Sequence, residues 1–194
     1  MLGAFYKGII RSLWMMWEKI FASMYQRGNL HTLDYGMCKV MIRKHQGESI
    51  LCKDGTIIVA GDHIGELHLD NVQIIDQLKS GGANRAAIVI ARMVRDSLEE
   101  IHVDIDNNKA EYSGVKALMG ITLLHRGIVH GLGFEQQGIK SSFFRSITTL
   151  YLRILLSVLH PEGNKRIGRR KNQLVPMRLI HTRSSLKARF AEAA

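Results

Sequence analysis

The chain has 194 residues, a formal net charge of +10, 46% hydrophobic residues and 23% charged residues. That balance excludes a disordered polyelectrolyte and suits one domain with a core of its own. The two cysteines, Cys38 and Cys52, are too few for a disulfide scaffold; a bridge between adjacent strands is open to them, and buried, reduced thiols are the expected state.

Phe5, Ile9, Leu13, Trp17, Ile20 and Met24 recur at three- and four-residue spacing and predict an amphipathic helix. Such a stripe usually faces its own core. Trp14 and Trp17 among cations also suit a helix lying in a membrane interface. Arg27-Gly28-Asn29 stops it. Met37 to Arg43 and Ser49 to Lys53 read as strands, with Lys44 to Glu48 as the loop between them. Asp54-Gly55 makes a tight turn into Thr56 to Ala60, and Ile64 to Leu69 follows, so the first half reads as an antiparallel meander. Asn71 to Lys79 predicts a short helix that Ser80-Gly81-Gly82 breaks. Ala83 to Ile101 is a longer helix, with Ile88, Ala91, Val94, Arg95 and Leu98 along one side, and Asp104 to Lys109 is a polar loop. Val115 to Leu124 is expected as a buried strand, His125 to Leu132 as a short helix, and Phe134 to Gln137 as a strand next to the first. Ser141 to Leu159 is the last helix, and His160-Pro161-Glu162-Gly163 ends it. Its apolar run is interrupted by Arg153 and falls short of the ~18 residues of a membrane span. Leu174 to Ile180 suits one more strand. The division expected is an N-terminal helix over 1–30, a single α+β core over 31–160, and a basic C-terminal segment over 161–194 packed on that core.

Charge is concentrated at the C-terminal end. Residues 160–194 hold nine Lys/Arg against Glu162 and Glu192, a balance of +7. Arg169, Arg170 and Lys171 are the candidate anion-binding residues. The partners expected from them are an anionic membrane surface or a phosphorylated substrate. Phe190 is the one aromatic residue there, so base stacking, and with it sequence-specific nucleic-acid binding, is not expected. The N-terminus lacks the short apolar core and cleavage site of a signal peptide. The expected location is cytoplasmic, peripheral at the inner membrane face.

Glu66, His68 and Asp70 alternate along one predicted strand, so period two puts them on one face with Leu67 and Leu69 on the other. A carboxylate beside a histidine orients the ring and raises its basicity, which general acid–base chemistry needs. The solvent face of a half-buried strand gives the same pattern. Asp62, His63, Glu66, His68 and Asp70 are also metal-ligand types. His63 has the wrong strand parity to join His68, however, and HIGELH is not the helical HExxH spacing, so no metal is assigned. His125 and His130 stand about 140° apart on a helix and do not converge. No nucleophile elbow, phosphate loop, dinucleotide fingerprint or CxxC pair is present.

The order strands, helix, strand, helix, strand resembles the GNAT acyltransferase fold over roughly residues 37–140. IGELHLDN resembles its central strand, the helix from Ala83 the one that follows its pyrophosphate loop, and VKALMGIT and LGFEQQ its two splayed strands. The resemblance implies an α+β fold, with a mixed, mostly antiparallel sheet flanked by helices, and acyl-CoA as donor. The pyrophosphate-loop motif itself is absent; Ser80 to Arg85 is the nearest substitute and lies too far beyond the strand. Gly61 to Asn71, Lys116 to Glu135, and His160 to Gly163 with the basic segment after it resemble the YkoP-like family of firmicute proteins over nearly the whole chain. That resemblance implies an uncharacterised family, also found appended to polysaccharide deacetylases, and hence work on envelope or spore-surface polysaccharide. The expected function is acyl transfer to a cell-envelope sugar or lipid. His68 would be the base, and Glu66 and Asp70 would orient it or bind the acceptor. The rival expectation is a non-catalytic interaction module that partners envelope-polysaccharide enzymes at an anionic membrane surface.

Overall fold

A computed structural model describes residues 30–122, 131–139, 146, 149 and 175–191. The helices expected over Phe5–Met24, His125–Leu132 and Ser141–Leu159 fall wholly or mostly outside the described residues, as do His160–Gly163 and the cluster Arg169, Arg170 and Lys171.

β1 (His31–Tyr35) and β2 (Cys38–Lys44) form a hairpin in register from His31↔Ile42 to Tyr35↔Cys38. Gly36 takes the turn at φ 65°, where an L side chain is strained. β1 has no clear apolar alternation, and only Tyr35 at its end is buried, which is why the sequence pattern does not announce it. β2 pairs antiparallel with β5 (His63–Leu69) along its whole length. The expected meander is interrupted here. β3 (Ile50–Leu51) and β4 (Ile57–Ile58) pair only with each other, as a separate two-stranded sheet. They fold off because Ile50, Cys52 and Ile58 have their own core, against Ile64, Ala117, Met119 and Ile180 of the main sheet.

α1 runs unbroken from Asn71 to Asp106. The break expected at Ser80-Gly81-Gly82 does not occur, and Asp104 to Asp106 belong to the helix rather than to a loop. Each glycine costs roughly 1 kcal/mol relative to alanine in a helix interior. Ile74 before the pair and Ala86, Ile90, Val94, Leu98, Ile101 and Ile105 after it are all buried in the same core. Burying an apolar stripe that continues past the glycines outweighs their propensity. The stripe also differs from the expected one: Ile88 is 58% exposed, whereas Ile90 is buried.

The 36-residue helix carries the chain back across the sheet, so β6 (Val115–Thr122) lies parallel to β5. Next to β6 comes β8 (Met177–Thr182), antiparallel to it, and then β7 (Glu135–Gly138) at the edge. The six-stranded order is β1-β2-β5-β6-β8-β7. Val115–Thr122 and Phe134–Gln137 are therefore not neighbours, and they are not a splayed pair. β8 intervenes because its last four residues, Leu179 to Thr182, are buried and suit an interior strand, whereas β7 (EQQG) has the polar character of an edge. α2 (Arg183–Ala191) follows β8 directly and packs on α1, where Phe190 stacks on His102 at 5.5 Å. The fold is α+β with a mixed, mostly antiparallel sheet.

Candidate functional site

The β2–β5 register sets Met41 opposite Glu66 and Lys39 opposite His68. Gly65, Leu67 and Leu69 turn toward α1, so Glu66 and His68 share the other face with Ile64. His68 Nε2 lies 3.3 Å from Glu66 Oε1, and Arg43 Nε donates to Glu66 Oε2. The Glu66 side chain is 19% exposed and that of His68 44%. Burial opposes the charge on Glu66, but the hydrogen bond and charge of His68 and the charge of Arg43 outweigh it and hold the carboxyl below its usual range. The result is an ionised carboxylate fixed by a guanidinium and turned to a half-exposed imidazole. Arg43 escapes a local reading of the sequence, because it meets Glu66 only through the antiparallel register.

Asp70 stands apart from this pair. It lies one residue beyond β5 and caps α1, with Oδ1 accepting from the amides of Val72 (2.8 Å) and Gln73 (3.2 Å). Burial works against its charge, yet those donors keep its carboxyl low. A single residue joins strand to helix, so there is no phosphate-cradling loop, and a carboxylate already occupies the place of an anion at the helix start.

The parallel pair parts beyond the cluster. Its pairing ends at Glu66↔Met119, after which β5 continues along β2 to Leu69 and β6 along β8 to Thr122. The carboxyl ends of parallel strands are where α/β sheets hold ligands. On the helix side the parting is closed: a Cβ on Gly120 would stand 3.3 Å from the carbonyl oxygen of Leu67. Lower down, a crevice edged by Ile105, Val115, Leu118, His181, Arg183 and Leu186 has no room for a water molecule. Glu66 and His68 lie on the other face of the sheet.

The remaining candidates are engaged elsewhere. Asp62 accepts from the Val59 amide (2.7 Å) and pairs with Lys116 (2.9 Å). Lys116 reaches it from the irregularity where the β5–β6 register slips, between His63 and Ile64. Among the described residues no three His, Cys, Asp or Glu side chains converge on a common point. Cys38 and Cys52 are free, buried and in different cores, and burial first of all pushes both thiols up to about 11, which keeps them protonated.

The family model of the YkoP domain matches residues 7–190. The chain belongs to the YkoP family. It is 28% identical to the uncharacterized protein YkoP of Bacillus subtilis (strain 168) over 135 residues, which cover 69% of this chain and 73% of that relative. No solved structure matches it. The span matched to the YkoP model contains β1 through β8, so the face that carries Arg43, Glu66 and His68 is part of the YkoP domain itself. Among the described residues, no helix of this YkoP chain is long and apolar enough to cross a membrane.

Proposed function

We propose that this YkoP-family chain is an acyltransferase-like enzyme that acylates a hydroxyl or amine of a cell-envelope sugar or lipid. The carrying observation is the Glu66–His68 contact, braced by Arg43 beside the point where β5 and β6 part. In this reading His68 takes the proton of the acceptor as its oxygen or nitrogen attacks the acyl carbonyl, and ionised Glu66 holds the resulting imidazolium; the acyl–sulfur bond of the donor then breaks, and the leaving thiolate takes up that proton. Antiparallel strands leading into a parallel pair across a long helix support a GNAT-like architecture. The capped start of α1 means that an acyl-CoA donor would need its phosphates gripped elsewhere. The test combines acyl-CoA donors of several chain lengths with amino-sugar and glycolipid acceptors, following thiol release and product mass. His68→Gln should lower turnover by about 10²-fold or more. Gln keeps a donor for Glu66, so the stability cost should stay within about 1 kcal/mol. Wild-type turnover by that variant would remove His68 from the chemistry.

Two observations favour a second reading. Asp70 fills the anion position at the helix start, and the helix side of the parting is closed. Both suit a non-catalytic interaction module that partners envelope-polysaccharide enzymes at an anionic membrane surface, with Arg169, Arg170 and Lys171 as its contacts. Absence of product with every donor–acceptor pair, together with vesicle binding, would select it.

A further inference from the structure

Arg178 sits in β8 between β6 and β7, opposite Ile121 on one side and Gln137 on the other. Strand alternation gives it the face of Ile180, Glu66 and His68. The registers put Ile180 level with Glu66 across β6, and Arg178 lies two residues along β8 from Ile180. The side chain is half-buried on strands whose same-face neighbours, Met119, Ile121 and Ile180, are apolar.

Among the described residues, the guanidinium of Arg178 makes no hydrogen bond and no salt bridge; the attraction it receives is the longer-range one of Glu48. The polar groups around it are engaged with other partners. Glu135, on the adjacent strand, accepts from the Lys53 amide (2.8 Å) and from Gln137 Nε2 (2.7 Å). Gln137 also donates to the Leu51 carbonyl (2.8 Å). Asp54 takes the hydroxyls of Thr182 and Ser184, at 2.5 Å each. The polar side chains of this region are thus spent on tethering the β3–β4 hairpin, and the cation is left over. A guanidinium stays charged and offers five donors in a planar fork. Desolvating it without a partner costs free energy that a bound oxyanion restores. Burial already presses its pKa downward, and Glu48 offsets this in part.

We propose that Arg178 anchors an oxyanion site on this sheet face, gripping a phosphate or pyrophosphate group through its fork. The site stands whether or not His68 acts as a base. Its assignment to the phosphates of an acyl donor, which Asp70 keeps from the helix start, rests on the acyltransferase reading.

The experiment titrates the full-length chain, with its arginine side chains labelled with 15N, against inorganic pyrophosphate at constant ionic strength. Parallel arms use coenzyme A and phosphatidylglycerol vesicles, which separate a nucleotide source of the phosphate from a lipid one. The Arg178 Nε–H resonance, assigned by its loss in Arg178→Lys, should shift saturably with a dissociation constant below about 1 mM. Arg178→Gln should weaken binding by tenfold or more. His68→Gln and the triple change of Arg169, Arg170 and Lys171 to Gln should leave pyrophosphate binding within twofold, which separates this site from the base and from the basic segment. If Arg178→Gln does not fold, the wild-type resonance and Arg178→Lys, which keeps the charge and loses the fork, decide the question. An Arg178 signal unmoved in all three arms, or equal binding by Arg178→Gln, overturns the proposal. Pyrophosphate binding without turnover by the wild type overturns the acyltransferase reading alone, and wild-type turnover without pyrophosphate binding overturns this site alone.

Discussion

Gly65 is the residue at which β5 is squeezed between its neighbours, and replacing it probes the packing that presents Glu66 and His68. A Cβ there would lie 2.8 Å from Leu118 Cδ2 and 2.9 Å from Val40 Cγ1. Ordinary carbon contacts need about 3.5 Å, so each neighbour must retreat by roughly 0.6–0.7 Å. Neither has room: Leu118 is 1% exposed and Val40 0%, and both belong to the core that holds the fully buried Leu98 and Ile101. Overpacking of this kind costs about 1–3 kcal/mol. The lost flexibility of the unfolded chain returns about 0.4–1 kcal/mol. The middle of each figure gives an expected net destabilisation of about 1.3 kcal/mol for Gly65→Ala. With a urea slope of about 2 kcal/mol per molar, the midpoint should fall by about 0.6 M. Urea titration followed by far-ultraviolet circular dichroism measures this directly, and Gly65→Val, with two further methyls, should fall further. An unchanged or raised midpoint for Gly65→Ala would show that β2, β5 and β6 are not close-packed here.

Asp54 gives a prediction in pH. The hydroxyls of Ser184 and Thr182 hold its carboxyl far below the usual range, so its contribution to stability is whole above the unfolded value of about 3.9 and is lost as pH falls through the lower folded value. Thermal melts of wild type and Asp54→Ala should differ most at neutral pH and converge in acid; an equal gap at about pH 3 and pH 7 would mean that the carboxylate charge is not what matters. Arg43→Met leaves Glu66 with less compensation for its burial and should cost about 1–3 kcal/mol, most of it recovered when Glu66→Gln is added. Additive effects in that double-mutant cycle would mean that the two side chains are not coupled. The basic segment should bring the chain down with anionic but not zwitterionic vesicles, at about 1 kcal/mol per cation and lost in salt. Changing Arg169, Arg170 and Lys171 to Gln should weaken this, and equal recovery in the supernatant with both vesicle types at low salt would reject it.

The amino-acid sequence by itself placed strands at Met37 to Arg43, Ile64 to Leu69 and Val115 to Leu124, within two residues of β2, β5 and β6 at each end, and strand character near Leu174–Ile180. In each, apolar and β-branched residues recur with strand character over a short, local window. It also determined that Glu66 and His68 share a face, since period two is a property of the extended backbone alone. Only the tertiary structure decided what depends on distant partners. Ser80-Gly81-Gly82 reads as a break until the core beneath Ile74 and Ala86 is known, because burial across the whole helix outweighs about 1 kcal/mol per glycine. Asp70 reads as a third member of the Glu66–His68 face until β5 ends at Leu69 and the carboxylate turns to cap α1. Arg43 and Arg178 reach that same face through β2 and β8, strands whose registers are set by long-range pairing. The place of β8 between β6 and β7 is of the same kind. Strand order is chosen by which edge buries the most apolar surface when the whole sheet assembles, a competition among segments far apart in the chain, whereas strand periodicity is written into every few residues.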